Sequence, residues 1–524
     1  MSEVSTADTS MSGGEALVHA LVDSGVDVCF ANPGTSEMHF VAALDTNPTM
    51  RCILGLFEGV VTGAADGYGR MAEKPAATLL HLGPGLANGL ANVHNAKKAR
   101  TPMVNVVGEH ATYHREYDSP LSSDIVGVAS PMSHWVAMGD SPDSVAALGA
   151  EAVENAMVAP GQISTLILPA DTAWGRTSAK AVAGAPASAP GAPDAAAIDR
   201  AARALRSGER CTIFLGGALP GERVAATARI ASATGAKVVA STWAPRQEMG
   251  AGAVPIRRLQ YFGEQAAEQL EGTQHMIVIG GKPPVTFFAY PDKPNWLTPD
   301  GAELHEICDI TDDVDAALEA LVDAVGAAGE EPSRWELSRP ELPTGELNPL
   351  AIGQAAAHLM PENAIIVNES GLSGGAYQMG MRGAPSHSFL ALTGGAIGYG
   401  IPASIGAAVA CPDRRVLNMQ ADGSGMYTVQ GLWTQAREGL DVTTVVFSNR
   451  QYAILQFEFG RVGAHEPGPK AMSMLDLSNP DLDWVALAQG LGVPASRATT
   501  AEEFNDALAR SLAQPGPSLI EAVV

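Results

Sequence analysis

The sequence predicts an α/β protein built from three open parallel-sheet domains. Short β-rich apolar runs alternate with Ala-rich amphipathic segments along the chain, the pattern of strands joined by covering helices. Two Pro-rich stretches, at about residues 181–193 and 329–349, interrupt that alternation and read as linkers. The 524 residues also suit about three domains of roughly 150 residues each. The expected pieces are 12–178, 196–325 and 350–524.

In the first piece the runs VDVCFANP, AATLLHL, PMVNVVG and STLILPA are the expected strands. The middle piece offers CTIFLGG, the helix-like ERVAATARIASATG, AKVVAS, HMIVIGG and ELHEICDI. The last has AIIVNES, RRVLNMQADG, VTTVVFSN and SLIEAVV. No short-period repeat links them, so any kinship among the domains is architectural.

Composition narrows the function. The 32 Lys+Arg against 57 Asp+Glu give a formal charge of −25, which repels phosphate backbones and anionic lipid surfaces. Nucleic acid and membrane are therefore not expected partners. Cys29, Cys52, Cys211, Cys308 and Cys411 are scattered without a C-x-x-C pair, which suits a reducing compartment and neither a disulfide framework nor a thiolate zinc site. The N-terminal MSEVSTADTSMSGG lacks a basic flank and an apolar core, so a cytoplasmic location without leader or anchor is expected.

The third piece holds the most informative motif. After RRVLNMQ come Ala421-Asp422-Gly423-Ser424-Gly425, an expected helix over 426–437, and a strand ending at Asn449. Asp422 and Asn449 lie 449 − 422 = 27 positions apart. One strand–helix–strand unit spans about 30 residues, so both side chains should sit at the carboxyl ends of neighbouring strands. A carboxylate and an amide oxygen suit Mg²⁺, which commonly shares its shell with phosphate. The small residues Gly423, Ser424 and Gly425 would offer main-chain N–H groups to that phosphate. An ordinary turn is the alternative for the D-G-S-G stretch alone.

This pattern resembles the motif of the thiamine-diphosphate (ThDP) enzymes that begins G-D-G-S and ends N-N, written here as ADGS ending in SN. The departures, Ala421 and Ser448, spare the two metal-ligating side chains. The resemblance implies Asp422, Asn449 and the main-chain oxygen of Gln451 as Mg²⁺ ligands, with Tyr452 near the diphosphate. It extends over residues 12–524, in the order pyrimidine-binding, middle and diphosphate-binding domain, and is to the acetolactate synthase large subunit and benzoylformate decarboxylase branch.

In the first domain, Glu58 stands alone among apolar residues in GLFEGVV, and a buried carboxylate is costly unless paired or protonated. The segment is similar to the family stretch whose glutamate contacts N1′ of the aminopyrimidine and activates the thiazolium. Thr35, in Asn32-Pro33-Gly34-Thr35-Ser36-Glu37, resembles the turn lining the substrate pocket. His81 precedes a Gly83-Pro84-Gly85 turn, where benzoylformate decarboxylase has a proton-transferring histidine. The second histidine of that enzyme aligns with Phe288, so that donor is missing; His110 or His114 could substitute, although their spacing equally fits a surface helix or a metal pair. The strip 393–402 resembles the one that bends ThDP, which implies Ile397 as the wedge and the Gly395 carbonyl as acceptor for the 4′-amino group. Gly371 and Leu372 resemble the diphosphate-side loop. Ile454 and Leu455 fall where the family shapes an apolar pocket wall, or are ordinary helix core.

The resemblance implies ThDP- and Mg²⁺-dependent cleavage or formation of a C–C bond on a small-molecule 2-oxo acid. It also implies a homodimer or homotetramer with active sites at the subunit interface. No motif decides whether the middle domain binds FAD. Three alternatives stand beside this reading: a 2-hydroxyacyl-CoA lyase, for which the middle piece lacks a basic cluster, a catalytically degenerate paralogue, and a serine hydrolase. The last rests on Gly371-Leu372-Ser373-Gly374-Gly375, a G-x-S-x-G match followed by Asp441 and His465.

Overall fold

Runs of Val, Ile, Leu and Ala too short for a helix and buried on both faces become the central strands of three sheets. The computed structural model describes residues 10–179, 183–185, 189–463 and 466–524. It divides into two compact units, residues 1–189 with 405–411, and 190–404 with 412–524.

The first unit carries a six-stranded parallel sheet in the order Arg51–Leu54, Val28–Asn32, Ala76–Leu80, Met103–Glu109, Ile163–Pro169, Trp135–Met138. Counted along the chain, this is 2-1-3-4-6-5. The crevice of such a sheet opens beyond the carboxyl ends of strands 1 and 3, where the connections diverge. Those ends are Asn32 and Leu80, which are register partners. The four central strands are the runs legible in the sequence. The two missed are the edges Arg51–Leu54 and Trp135–Met138, which are only partly buried and so lack a continuous apolar signature. The helix Glu58–Ala72 is buried along almost its whole length, and its Asp66 and Arg70 satisfy one another through bonds of 2.8 and 2.6 Å.

The second unit contains two sheets. The first of these runs Arg257–Arg258, Lys237–Ala240, Cys211–Leu215, His275–Ile279, Glu303–Cys308, all parallel, or 3-2-1-4-5 in chain order. The C-terminal sheet runs Arg246–Met249, His387–Ala391, Ala364–Glu369, Val416–Ala421, Val442–Ser448, Ser518–Val523, Ala495–Ala498. Its first strand is antiparallel to its neighbour. The remaining six repeat the 2-1-3-4-6-5 order of the first unit. The architectural kinship expected of all three domains therefore holds for the two outer sheets, while the middle sheet is wound differently.

Two expectations need correction. The stretch 329–349 is not a free linker. Trp335 N–H donates to Ala253 O at 2.9 Å, Ser338 N–H to Gly383 O at 3.0 Å, and Arg339 reaches the carbonyls of Ala357, His358 and Met360 at the end of the helix Pro349–Leu359. A cation on orphan C-terminal carbonyls is favourable, and it straps the segment down. The single helix expected over 426–437 is broken into Asp422–Gly425, the 3₁₀ turn Met426–Thr428 and the helix Gly431–Glu438. The hydroxyl of Thr428 donates to Gly398 O at 3.1 Å, which fixes the break. Among the described residues no helix is long and apolar enough to cross a membrane.

Candidate active site

The site residues fall in both units, and each set is built at a strand-1/strand-3 crevice. In the first unit, Leu80 ends its strand and His81 caps the helix Leu82–Ala99. Opposite it, the turn after Asn32 enters the 3₁₀ segment Thr35–Glu37. Thr35 is exposed at its start, while Glu37 is 1% exposed and directed at the histidine. His81 Nδ1 lies 2.8 Å from Glu37 Oε2, which also accepts the Gly34 N–H at 2.8 Å. Burial pushes the Glu37 carboxyl above its ordinary range, against the pull of His81 and Gly34.

Glu58 is the first residue of the helix Glu58–Ala72 and is 6% exposed. Its Oε2 accepts from Asn88 Nδ2 at 3.0 Å. Gly85 separates the two acid–base groups: a Cβ there would stand 3.1 Å from Glu58 Oε1 and 3.3 Å from His81 Cβ. The missing side chain of Gly85, in the first turn of the helix Leu82–Ala99, thus allows a carboxylate and an imidazole to share one crevice. His110 follows the strand Met103–Glu109 and its Nε2 meets the Ser119 hydroxyl at 3.0 Å, with His114 ring-to-ring at 5.5 Å. His114 is exposed.

In the second unit, Asp422 follows Val416–Ala421 and Asn449 follows Val442–Ser448, two neighbouring parallel strands. Asp422 is 2% exposed. It accepts the Gly423 N–H at 2.8 Å and the Arg450 N–H at 2.6 Å, the latter offered because Arg450 is left-handed at φ 57°. Burial pushes its carboxyl up, against the pull of the main-chain N–H groups that it accepts from. Asn449 Oδ1 takes the Gln451 N–H at 3.2 Å. Tyr452 caps the helix Ala453–Phe459 and lays its ring where a Cβ on Gly423 would be, 2.4 Å away. Gly371, at φ 57°, and Leu372 lie in the exposed turn Gly371–Ser373, and a Cβ on Gly371 would be 3.7 Å from that of Ala421. Ser424 turns its hydroxyl inward, 2.8 Å from Gln420 Nε2.

Glu369, which closes the expected strand AIIVNES, is a site residue that the sequence motifs did not single out. It ends the strand Ala364–Glu369, is 4% exposed, and its carboxylate gathers four donors. These are the N–H groups of Gly398, Tyr399 and Gly400 at 2.7, 3.0 and 2.7 Å, and Gln420 Nε2 at 2.9 Å. It thereby caps the helix Gly400–Ala410 and anchors the strip that carries Gly395 and the half-buried Ile397. The signal was available: a lone acid at a strand end facing glycines that must close onto it.

Over that strip stands an aromatic wall that the sequence did not reveal. A Cβ on Gly395 would be 2.7 Å from the Phe287 ring. Phe287 makes edge contacts with Trp243 and Phe288, each at 4.7 Å between centroids, and lies 5.7 Å from Tyr261. Phe262 joins Phe457, in the same helix as Ile454 and Leu455, at 5.2 Å. Leu455 is 47% and Phe288 53% exposed. Since the wall is assembled from segments separated by about half the unit, no local pattern announces it.

The serine-hydrolase arrangement is not formed. Ser373 lies beyond the carboxyl end of Ala364–Glu369, whereas Asp441 precedes Val442–Ser448 at the sheet's other end, beside Arg415 at 3.7 Å. His465 lies outside the described residues.

The donors suit the cofactor that the motifs imply. A buried carboxylate at the end of one strand and an amide side chain at the end of its neighbour are hard oxygen donors of the kind that Mg²⁺ takes. Comparison with known proteins bears on the organic cofactor. Residues 11–130 match the model described as thiamine pyrophosphate enzyme, N-terminal TPP binding domain, and residues 373–522 match its C-terminal TPP binding domain. A Mycobacterium tuberculosis chain named for the acetolactate synthase large subunit is 54% identical over 516 residues, 98% of this chain and 99% of that one. Benzoylformate decarboxylase of Pseudomonas aeruginosa is 28% identical, covering 95% and 96%. Among solved structures, the ThDP-dependent 4-hydroxybenzoylformate decarboxylase of Rhodococcus jostii RHA1 superposes with a TM-score of 0.80 at 23% identity, covering 98% and 99%, which is a likeness of fold.

Proposed function

The chain belongs to the thiamine pyrophosphate enzyme family, in its acetolactate synthase and benzoylformate decarboxylase branch, and from that premise we propose a Mg²⁺-dependent decarboxylase or carboligase acting on a 2-oxo acid. The observation that carries the reading is Glu58 and the Glu37–His81 pair facing one another across Gly85. When bound, ThDP supplies an electron sink that lets a bond next to a 2-oxo group break.

The residues of the chain divide the remaining work. Glu58 holds and releases a proton at its carboxylate, oriented by Asn88. Glu37 accepts from Nδ1 of His81 and so leaves Nε2 as the nitrogen that exchanges a proton with the reacting molecule. Asp422, Asn449 and the Gln451 carbonyl would hold Mg²⁺, with Gly371, Leu372, Gly423, Ser424 and Tyr452 around the diphosphate. Glu369 keeps the strip of Gly395 and Ile397 in place. Thr35 and His110 in the first unit, and separately Phe288, Ile454 and Leu455 in the second, are the proposed substrate-contacting residues, and the aromatic wall of the second unit favours an apolar side chain on the substrate. The active form is taken to be a homodimer or homotetramer with its sites at the subunit interface.

The test is CO₂ release with product identification from protein supplied with ThDP and Mg²⁺. The substrates are pyruvate, 2-oxobutyrate, branched 2-oxo acids and benzoylformate. Release with an aldehyde product identifies a decarboxylase, and a 2-hydroxyketone identifies a carboligase. Silence with every substrate overturns the 2-oxo acid assignment.

A further inference from the structure

Away from the crevice of the middle sheet, two neighbouring strands begin with metal-binding side chains. His275 opens His275–Ile279 and Glu303 opens Glu303–Cys308, and the two are register partners. Partners across parallel strands leave the sheet on one face, and so does a residue two positions on, which adds His305. His275 Nδ1 lies 3.0 Å from His305 Nε2 and 3.6 Å from a Glu303 oxygen, and His305 Nε2 lies 3.8 Å from the other Glu303 oxygen. One donor atom from each of the three side chains can thus be chosen so that all lie within 4.8 Å of one another.

We propose that His275 Nδ1, His305 Nε2 and the Glu303 carboxylate bind a zinc ion, with water in the fourth position. Two nitrogens and a carboxylate oxygen are a set that Zn²⁺ accepts at about 2.0–2.2 Å, whereas Mg²⁺ and Ca²⁺ favour oxygen. Tetrahedral bonds of that length hold two imidazole nitrogens about 3.3 Å apart, close to the observed spacing. The surroundings also match. Glu209 Oε2 stands 2.6 Å from His275 Nε2, so it accepts that N–H and leaves the Nδ1 lone pair for the metal, the role a carboxylate commonly plays behind a metal-bound histidine. The two imidazoles are 11% and 6% exposed and need little reordering, while Glu303, at 65%, leaves the site open to solvent. Metal-free, the rings can share a hydrogen bond, so the site is preformed in either state.

Protein saturated with ThDP and Mg²⁺, so that the Asp422 site is filled, is titrated with Zn²⁺ against a chromogenic chelator and with Co²⁺ by visible absorption. One ion per chain and four-coordinate Co²⁺ bands are expected. His305→Ala removes both signals, and Glu209→Gln weakens binding by roughly 10- to 100-fold. Glu303→Gln changes an exposed side chain and leaves folding intact by circular dichroism, so its loss of affinity reads the ligand alone. Absence of stoichiometric uptake, or uptake unchanged in both His305→Ala and Glu303→Gln, overturns the proposal.

Discussion

Glu37 Oε2 sits 2.8 Å from Nδ1 of His81, and the carboxylate is almost wholly buried while the imidazole faces the crevice. On the proposed function the acid is a fixed orienter and the histidine the group that meets the reacting molecule. His81→Ala should lower kcat by an amount within the roughly 10²- to 10⁴-fold range of general acid–base catalysis. Glu37→Gln should do so less, because an amide oxygen still accepts from Nδ1, and should alter the pH profile. ThDP affinity should be unchanged in both. Steady-state kinetics with cofactor titration reads the three quantities; an equal loss of cofactor binding would reassign the pair to structure.

Glu58→Gln replaces a buried acid by a neutral isostere. Turnover should fall by about 10²-fold or more, while thermal stability should hold or rise, since an ionisable group leaves a site of 6% exposure. Parallel rate and melting measurements decide; a near-normal rate would refute the assignment of Glu58 as the proton relay.

Glu369→Gln puts an NH₂ group among N–H donors. The unsatisfied contacts should cost about 1–3 kcal/mol of stability. Because the donors belong to 398–400, ThDP should also bind more weakly, with Mg²⁺ ligation at Asp422 left in place. Denaturant melts and cofactor titration together test this; lowered stability with unaltered ThDP affinity would confine Glu369 to a capping role.

His134 provides a pH dependence with a definite sign. Its Nδ1 accepts the Ile163 N–H at 3.2 Å, and burial, with Arg100 and Lys97 nearby, pushes its pKa from 6.5 down to about 4. The unfolded chain binds the proton more readily, so this contribution to stability is present above about pH 6.5 and is lost as pH falls toward 4. His134→Gln should flatten that part of the stability–pH curve in denaturant titrations at several pH values.

The legible parts of the molecule share a physical character. Central strands were readable because burial on both faces makes them continuously apolar, and Asp422 and Asn449 because one crossover fixes their spacing. Arg51–Leu54 and Ala495–Ala498 were not, because edge strands bury too little to be patterned. Glu369 and the Phe287 wall escaped because their meaning lies in what they meet across long sequence separations. His81 was readable as a residue, but its partner Glu37, in a turn noted for its Pro-Gly, was not.

The strand Arg246–Met249 is donated from within the middle region yet pairs, antiparallel, with His387–Ala391 of the C-terminal sheet. Fragments cut at the apparent domain boundary would tear it away. Residues 350–524 expressed alone would then present His387–Ala391, buried in the whole chain, as a naked apolar edge. Such an edge recruits further copies by strand addition, so the isolated fragment should precipitate where the intact polypeptide stays in solution.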